Sequence, residues 1–325
     1  EDEAAALWQT ARGRAVLQAR DVSPDLLDLL ALEGGHDGAM ASLDMLRWSA
    51  SSVLDFAEAN DFNFDAMDEA LREGLNAPEA SADELVDLAM GEAMPVADLK
   101  AAIPVLLAGA ATDQKTADAL VAVLNSEDAA DRWDAYRGIF TTGGGDYRKS
   151  NPFTAASVKQ SPLISDLFQM KDGEGREVAR VRQLAEALAR ARAFERTSAL
   201  LRVGMPALQA YQQAKAARAA LDFDDLIQKT RLLLTQSGMS AWVLYKLDGG
   251  LSHVLLDEAQ DTSPPQWELI TALTAEFFSG QGPERQQDPR TLFIVGDEKQ
   301  SIYSFQGADP SKFRDKAQEL SLQSS

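Results

Sequence analysis

Two short apolar runs, each ending in an acidic pair, constrain this chain more than any other feature. The first is HVLLDEAQD, His253 to Asp261, and the second is TLFIVGDEKQ, Thr291 to Gln300. Between them, PQWELITALTAEFF carries Trp267, Ile270, Leu273 and Phe277 at helical spacing. Strand, helix, strand is a βαβ unit, so the two strands should be parallel. Asp257-Glu258 and Asp297-Glu298 then sit at one edge of one sheet. In open parallel sheets, ligands bind beyond the carboxyl ends of the strands. The unbroken apolar runs also predict strands buried on both faces.

VLLDEAQDTSPPQ, Val254 to Gln266, reads as a Walker B element. Such an element holds a Mg²⁺-nucleotide with strand-end carboxylates and aims a water at it. It requires a phosphate-binding loop, G-x-x-x-x-G-K-[ST], between a strand and a helix. The nearest approach to that pattern is GGGDYRKS, Gly143 to Ser150, with Arg148 where the second glycine belongs. The glycine lets the backbone wrap the phosphates, and an arginine side chain fills that space. Asn151-Pro152 follows, and the residue before a proline avoids the helical region. The phosphate cradle depends on helix N-terminal amides. A glycine-rich turn between helices, with Arg148 and Lys149 exposed, is the better account, and these two cations are candidates for DNA contact.

Composition narrows the class. The chain has 325 residues, enough for about two domains. It has no cysteine, which excludes disulfides and thiolate metal sites within these residues and fits a cytoplasmic protein. His36 and His253 have no metal-ligand spacing. No uncharged run approaches the roughly 20 residues of a membrane span, so no membrane partner is expected. The N-terminus EDEAAALW is acidic, unlike a signal peptide. The net charge is −20, and the segment from Asp55 to Lys100 holds thirteen acidic residues against two basic. Such a face repels phosphates. From Lys171 to Arg202 the balance reverses, with eight basic residues against five acidic. That stripe is either a solvated helix face or a nucleic-acid contact.

Residues 1–206 read as helix after helix. Ser23-Pro24-Asp25 is a helix start, with serine as N-cap and proline in the first turn. Ser81-Ala82-Asp83-Glu84 has capping-box spacing. Val178, Val181, Leu184, Leu188 and Ala191 recur at steps of three and four, predicting an amphipathic helix between Glu177 and Phe194. LDFDDLIQKTRLLLTQ is a further helix, and Asp222, Asp224 and Asp225 suit its N-terminus.

DEAQDTSPPQ and VGDEKQSIYSFQGADP, Val295 to Pro310, together resemble motifs II and III of superfamily 1A helicases, the UvrD/RecB group. LDFDDLI, Leu221 to Ile227, resembles the segment shortly before motif II. The variants look most like the AddA branch, the helicase–nuclease component of a double-strand-break repair complex. The close coverage is Leu221 to Pro310.

The resemblance implies a mostly α fold with a partial α/β RecA-like (P-loop NTPase) domain. Residues 1–206 would be the helical insertion of the first RecA-like domain, and 207–325 its C-terminal part. The Walker A loop would lie N-terminal to the insertion, in a longer protein, and the chain alone would not hydrolyse ATP. Asp257 would coordinate Mg²⁺ through ordered water, Glu258 would polarise the attacking water, and Gln300 would sense the γ-phosphate of ATP. Tyr303 and Phe305 would stack single-stranded bases. Gln306 stands where the group usually has arginine, so no role of that arginine transfers. Implied partners are single-stranded DNA, duplex DNA and an AddB-like protein. The alternatives are a non-enzymatic helical module with a vestigial tail, or a helicase of another branch.

Overall fold

A computed structural model describes residues 2–32, 34–170, 174–235, 242–243, 246, 251–278, 290–301 and 313–316. Thirteen helices precede the first strand: α1 (Asp2–Val22), α2 (Pro24–Ala31), α3 (Gly35–Trp48), α4 (Ala50–Ala59), α5 (Phe64–Leu75), α6 (Ala82–Met90), α7 (Val96–Leu107), α8 (Ala111–Asn125), α9 (Ala129–Phe140), α10 (Ala155–Gln160), α11 (Pro162–Phe168), α12 (Arg176–Ala217) and α13 (Phe223–Thr235), among the described residues. Then come β1 (His253–Leu256), α14 (Pro264–Phe278) and β2 (Thr291–Ile294). None of the described helices is long and apolar enough to cross a membrane.

By contact, the chain forms two compact units. One comprises Glu1–Met67 with Ala199–Ser325, and the other is Asp68–Ser198. Residue 206, where the sequence texture changes, is not an element boundary. Pro206 lies inside α12, whose 42 residues run well past the expected end at Phe194. An apolar stripe marks where a helix is buried, and this helix continues where the stripe changes. Gly204 keeps α12 close to α3, because a Cβ there would overlap the Leu46 side chain.

The Asp68–Ser198 unit has an aromatic core. Tyr136, Phe140 and Phe168 are fully buried with Leu99, Leu106 and Leu120. The stripe predicted on α12 points into it: Val178, Val181, Leu184, Leu188 and Ala191 are all buried. Ser81 caps α6 in a complete capping box with Glu84. Asp113 does similar work in the first turn of α8. Its carboxylate accepts from Ala110 N at 2.9 Å, Thr154 N at 2.6 Å and Thr154 Oγ1 at 2.8 Å. Tyr136 donates to the buried Glu177 carboxylate at 2.7 Å, and Arg180 closes an ion pair with that carboxylate at 2.8 Å.

In the other unit, β1 and β2 pair in parallel, with Val254 opposite Leu292 and Leu256 opposite Ile294. The βαβ reading of the sequence therefore holds. Burial on both faces does not: Leu255 is 70% exposed and Phe293 60% exposed. The runs are apolar throughout, but only the face bearing Val254, Leu256, Leu292 and Ile294 is half-buried. Among the described residues, each strand has only the other as a ladder partner.

Candidate active site

The turn after β1 carries the first carboxylates. Asp257 and Glu258 are both exposed at the strand end. Glu258 adopts a left-handed backbone conformation, φ 51° and ψ 42°, just before a one-turn 3₁₀ segment, Ala259–Asp261. Left-handed backbone in a residue other than glycine costs on the order of 1–3 kcal/mol and persists where its surroundings enforce it. Here the Glu258 amide donates to Asp257 Oδ1 at 3.0 Å, and Ala259 N donates to Val295 O at 2.9 Å. The turn after β1 is thus bonded to the end of β2.

The turn after β2 carries the second set. Val295 N donates to Leu256 O at 2.9 Å, which extends the ladder by one bond. Asp297 then nucleates a one-turn 3₁₀ segment, Glu298–Gln300. Its Oδ1 accepts from Lys299 N at 3.0 Å and its Oδ2 from Gln300 Nε2 at 3.1 Å. Asp297 therefore shapes the strand end, and Gln300 is exposed.

The sequence reading missed Gln260. It is 1% exposed and lies between the two turns. Its Nε2 donates to Glu258 Oε2 at 2.7 Å, and its Oε1 accepts from Asp297 N at 2.9 Å. Ser301 Oγ adds a donor to Asp261 Oδ1 at 3.2 Å. Gly296 makes the approach possible: a Cβ there would lie 2.6 Å from Gln260 Oε1. The available signals were a lone glycine between a strand and an aspartate, and an uncharged amide inside an acidic turn. Both become informative only once the turns are known to touch.

Asp257, Glu258 and Gln300 thus share one edge, as the parallel strands require. Tyr303, Phe305 and Gln306 lie outside the described residues. Arg148 and Lys149 belong to the Asp68–Ser198 unit. There they are exposed immediately after a turn closed by a Thr141–Tyr147 bridge, with Gly145 at φ 87°. No strand feeds that turn and no helix begins within it, so it has none of the cradle a phosphate loop needs.

No group of three or more metal-ligating side chains occurs among the described residues. Mg²⁺ does not need one, because it keeps several waters and binds through one or two carboxylates plus substrate phosphates. Two exposed strand-end carboxylates beside an exposed amide fit a Mg²⁺-nucleotide and do not fit a bare structural metal.

Residues 156–321 match the UvrD/REP helicase N-terminal domain, over half of the chain. The chain belongs to the UvrD/REP helicase family. Within it, the chain is similar to an ATP-dependent helicase/nuclease subunit of Latilactobacillus sakei, at 38% identity over 123 residues, 38% of this chain and 12% of that protein. The corresponding protein of Levilactobacillus brevis is 36% identical over 126 residues, 38% of this chain and 9% of that protein. That of Desulfitobacterium hafniense strain DCB-2 is 39% identical over 103 residues, 32% of this chain and 7% of that protein. The matched stretch is about a tenth of each relative's length. This UvrD-like assignment accounts for the mostly helical fold with a small parallel sheet, and it disfavours a helical module with a vestigial tail.

Proposed function

We propose that this chain is part of an ATP-driven DNA translocase of the helicase–nuclease type and supplies the motif II and motif III side of its nucleotide site. One observation carries the reading: two parallel strands deliver Asp257, Glu258 and Gln300 to one edge, in turns hydrogen-bonded to each other. Bound Mg²⁺-ATP would supply the phosphoryl group, with the metal neutralising charge as it transfers. Asp257 would hold the Mg²⁺ through ordered water. Glu258 accepts a hydrogen bond from the attacking water and takes its proton at a carboxylate oxygen. Gln300 can donate to a phosphate oxygen or accept from water, which suits an uncharged sensor. Tyr303 and Phe305 offer π-faces to successive bases without reading sequence, at about 1–3 kcal/mol per stack.

The 325 residues contain no G-x-x-x-x-G-K-[ST]. By itself, therefore, the chain gives the phosphates no cradle and does not hydrolyse ATP. The helices up to α12 act as the helical insertion of a RecA-like domain, and the residues from α13 onward as that domain's later part. A partner of the AddB type fits the word "subunit" in the relatives' names, and the cytoplasm fits DNA as substrate. The test is ATP-dependent displacement of an annealed strand by the full-length protein that carries this chain. Displacement that requires ATP and Mg²⁺ is expected, and ATP-independent melting or none would refute the reading.

A further inference from the structure

The two turns at the candidate site are joined by one continuous set of hydrogen bonds. Glu258 Oε2 accepts from Gln260 Nε2, Gln260 Oε1 accepts from Asp297 N, and Asp297 Oδ2 accepts from Gln300 Nε2. The direction of the carboxamide follows from its partners. Asp297 N–H can only donate, so it must meet Oε1, and that leaves the NH₂ group for the Glu258 carboxylate. Gln260 is buried, and a bond from NH₂ to a carboxylate is stronger than one between neutral groups. Gly296 leaves room for Oε1, which a Cβ there would crowd at 2.6 Å.

We propose that Gln260 is a positioning residue that sets the orientation of Glu258 according to the position of the Asp297–Gln300 turn. This rests on the ATPase reading given above. Glu258 polarises water only when its carboxylate points correctly. Its Oε2 is held by an amide whose other end is fixed to the turn carrying Gln300. When Gln300 engages a phosphate, its bond to Asp297 is released, and when the phosphate is lost that bond is remade. Asp297 in turn bears on Gln260. The hydrolytic carboxylate and the phosphate sensor are therefore coupled through two residues, Gln260 and Asp297, and three hydrogen bonds at one edge of the sheet.

The expected kinetic signature is a split. In the full-length protein, Gln260→Met should lower DNA-stimulated kcat by about 10²-fold, the scale of a reacting group displaced by about 1 Å. KM for ATP should stay within about threefold, because Gln260 touches no substrate. Gly296→Ala, which pushes on the same oxygen from the other side, should give the same split. The chain itself offers a second readout by NMR. Glu258→Ala should shift the side-chain amide resonances of Gln300, and the shift should vanish when Gln260→Met is added. Wild-type kcat in both variants, or a Gln300 shift that survives Gln260→Met, overturns the proposal. If the full-length wild type hydrolyses no ATP, the ATPase reading fails first, and loss or survival of the Gln300 shift then decides the coupling.

Discussion

Asp113 shows how much one buried side chain does in this fold. Burial alone would raise its pKa, but donors at Thr154 N, Thr154 Oγ1 and Ala110 N outweigh that and leave it below the ordinary carboxylate value. A folded-state pKa below the unfolded one stabilises above about pH 4, and that stability is lost as pH falls through the folded value. Asp113→Asn should therefore destabilise the Asp68–Ser198 unit by about 1–2 kcal/mol at pH 7, the scale of a lost helix cap. The difference from wild type should shrink towards pH 3 in urea melts. A pH-independent difference would assign the effect to packing. Asp113 could not be picked out in advance, because its partner Thr154 is 41 residues away in sequence. Gln260 was hidden for the same reason, whereas Asp257 and Glu258 were legible because they close an apolar run, and Gln300 was singled out only through the resemblance to motif III.

At the scale of elements, α12 and α13 meet in a buried charge cluster. Lys215 is 3% exposed and its Nζ lies 2.7 Å from Asp222 Oδ2 and 2.6 Å from Asp225 Oδ2. Tyr211 donates to Asp222 at 2.8 Å. Asp222 and Asp225 also exchange backbone-to-carboxylate bonds, a reciprocal cap on α13. The expectation that these aspartates serve the helix N-terminus was correct; the lysine that neutralises them was not anticipated. Removing one partner of a buried ion pair costs about 3–5 kcal/mol because the other stays unpaired. Lys215→Met should lower stability on that scale in denaturant melts, and a change under about 0.5 kcal/mol would show the cluster to be solvated. The sheet is the opposite case. Leu255, Phe293 and Val295 are exposed, and both strands are four residues long. Hydrogen exchange should find the amides of Val181 and Leu188 slower than those of Leu255 and Phe293 in a dilute monomer. The reverse order would mean that the sheet is the stable nucleus. Apolar runs announce a strand, but they do not announce which face is covered.

The chain carries a net charge of −20, so the DNA affinity proposed for it would have to come from local features. Weak binding to single-stranded DNA that fades steeply with salt is expected. Phe305→Ala should weaken it more than Arg148→Ala, as read by fluorescence anisotropy at low salt. Equal losses would count against base stacking. The central claim concerns the strand-end carboxylates, and steady-state phosphate release tests it most directly. The assay compares wild-type and Glu258→Gln forms of the full-length protein with single-stranded DNA, alongside the 325-residue chain alone. Loss of a general base costs about 10²–10⁴-fold. The account predicts a loss of that size for Glu258→Gln and no release from the isolated chain. Equal rates for wild type and Glu258→Gln, or release by the isolated chain above its own Glu258→Gln control, would contradict it.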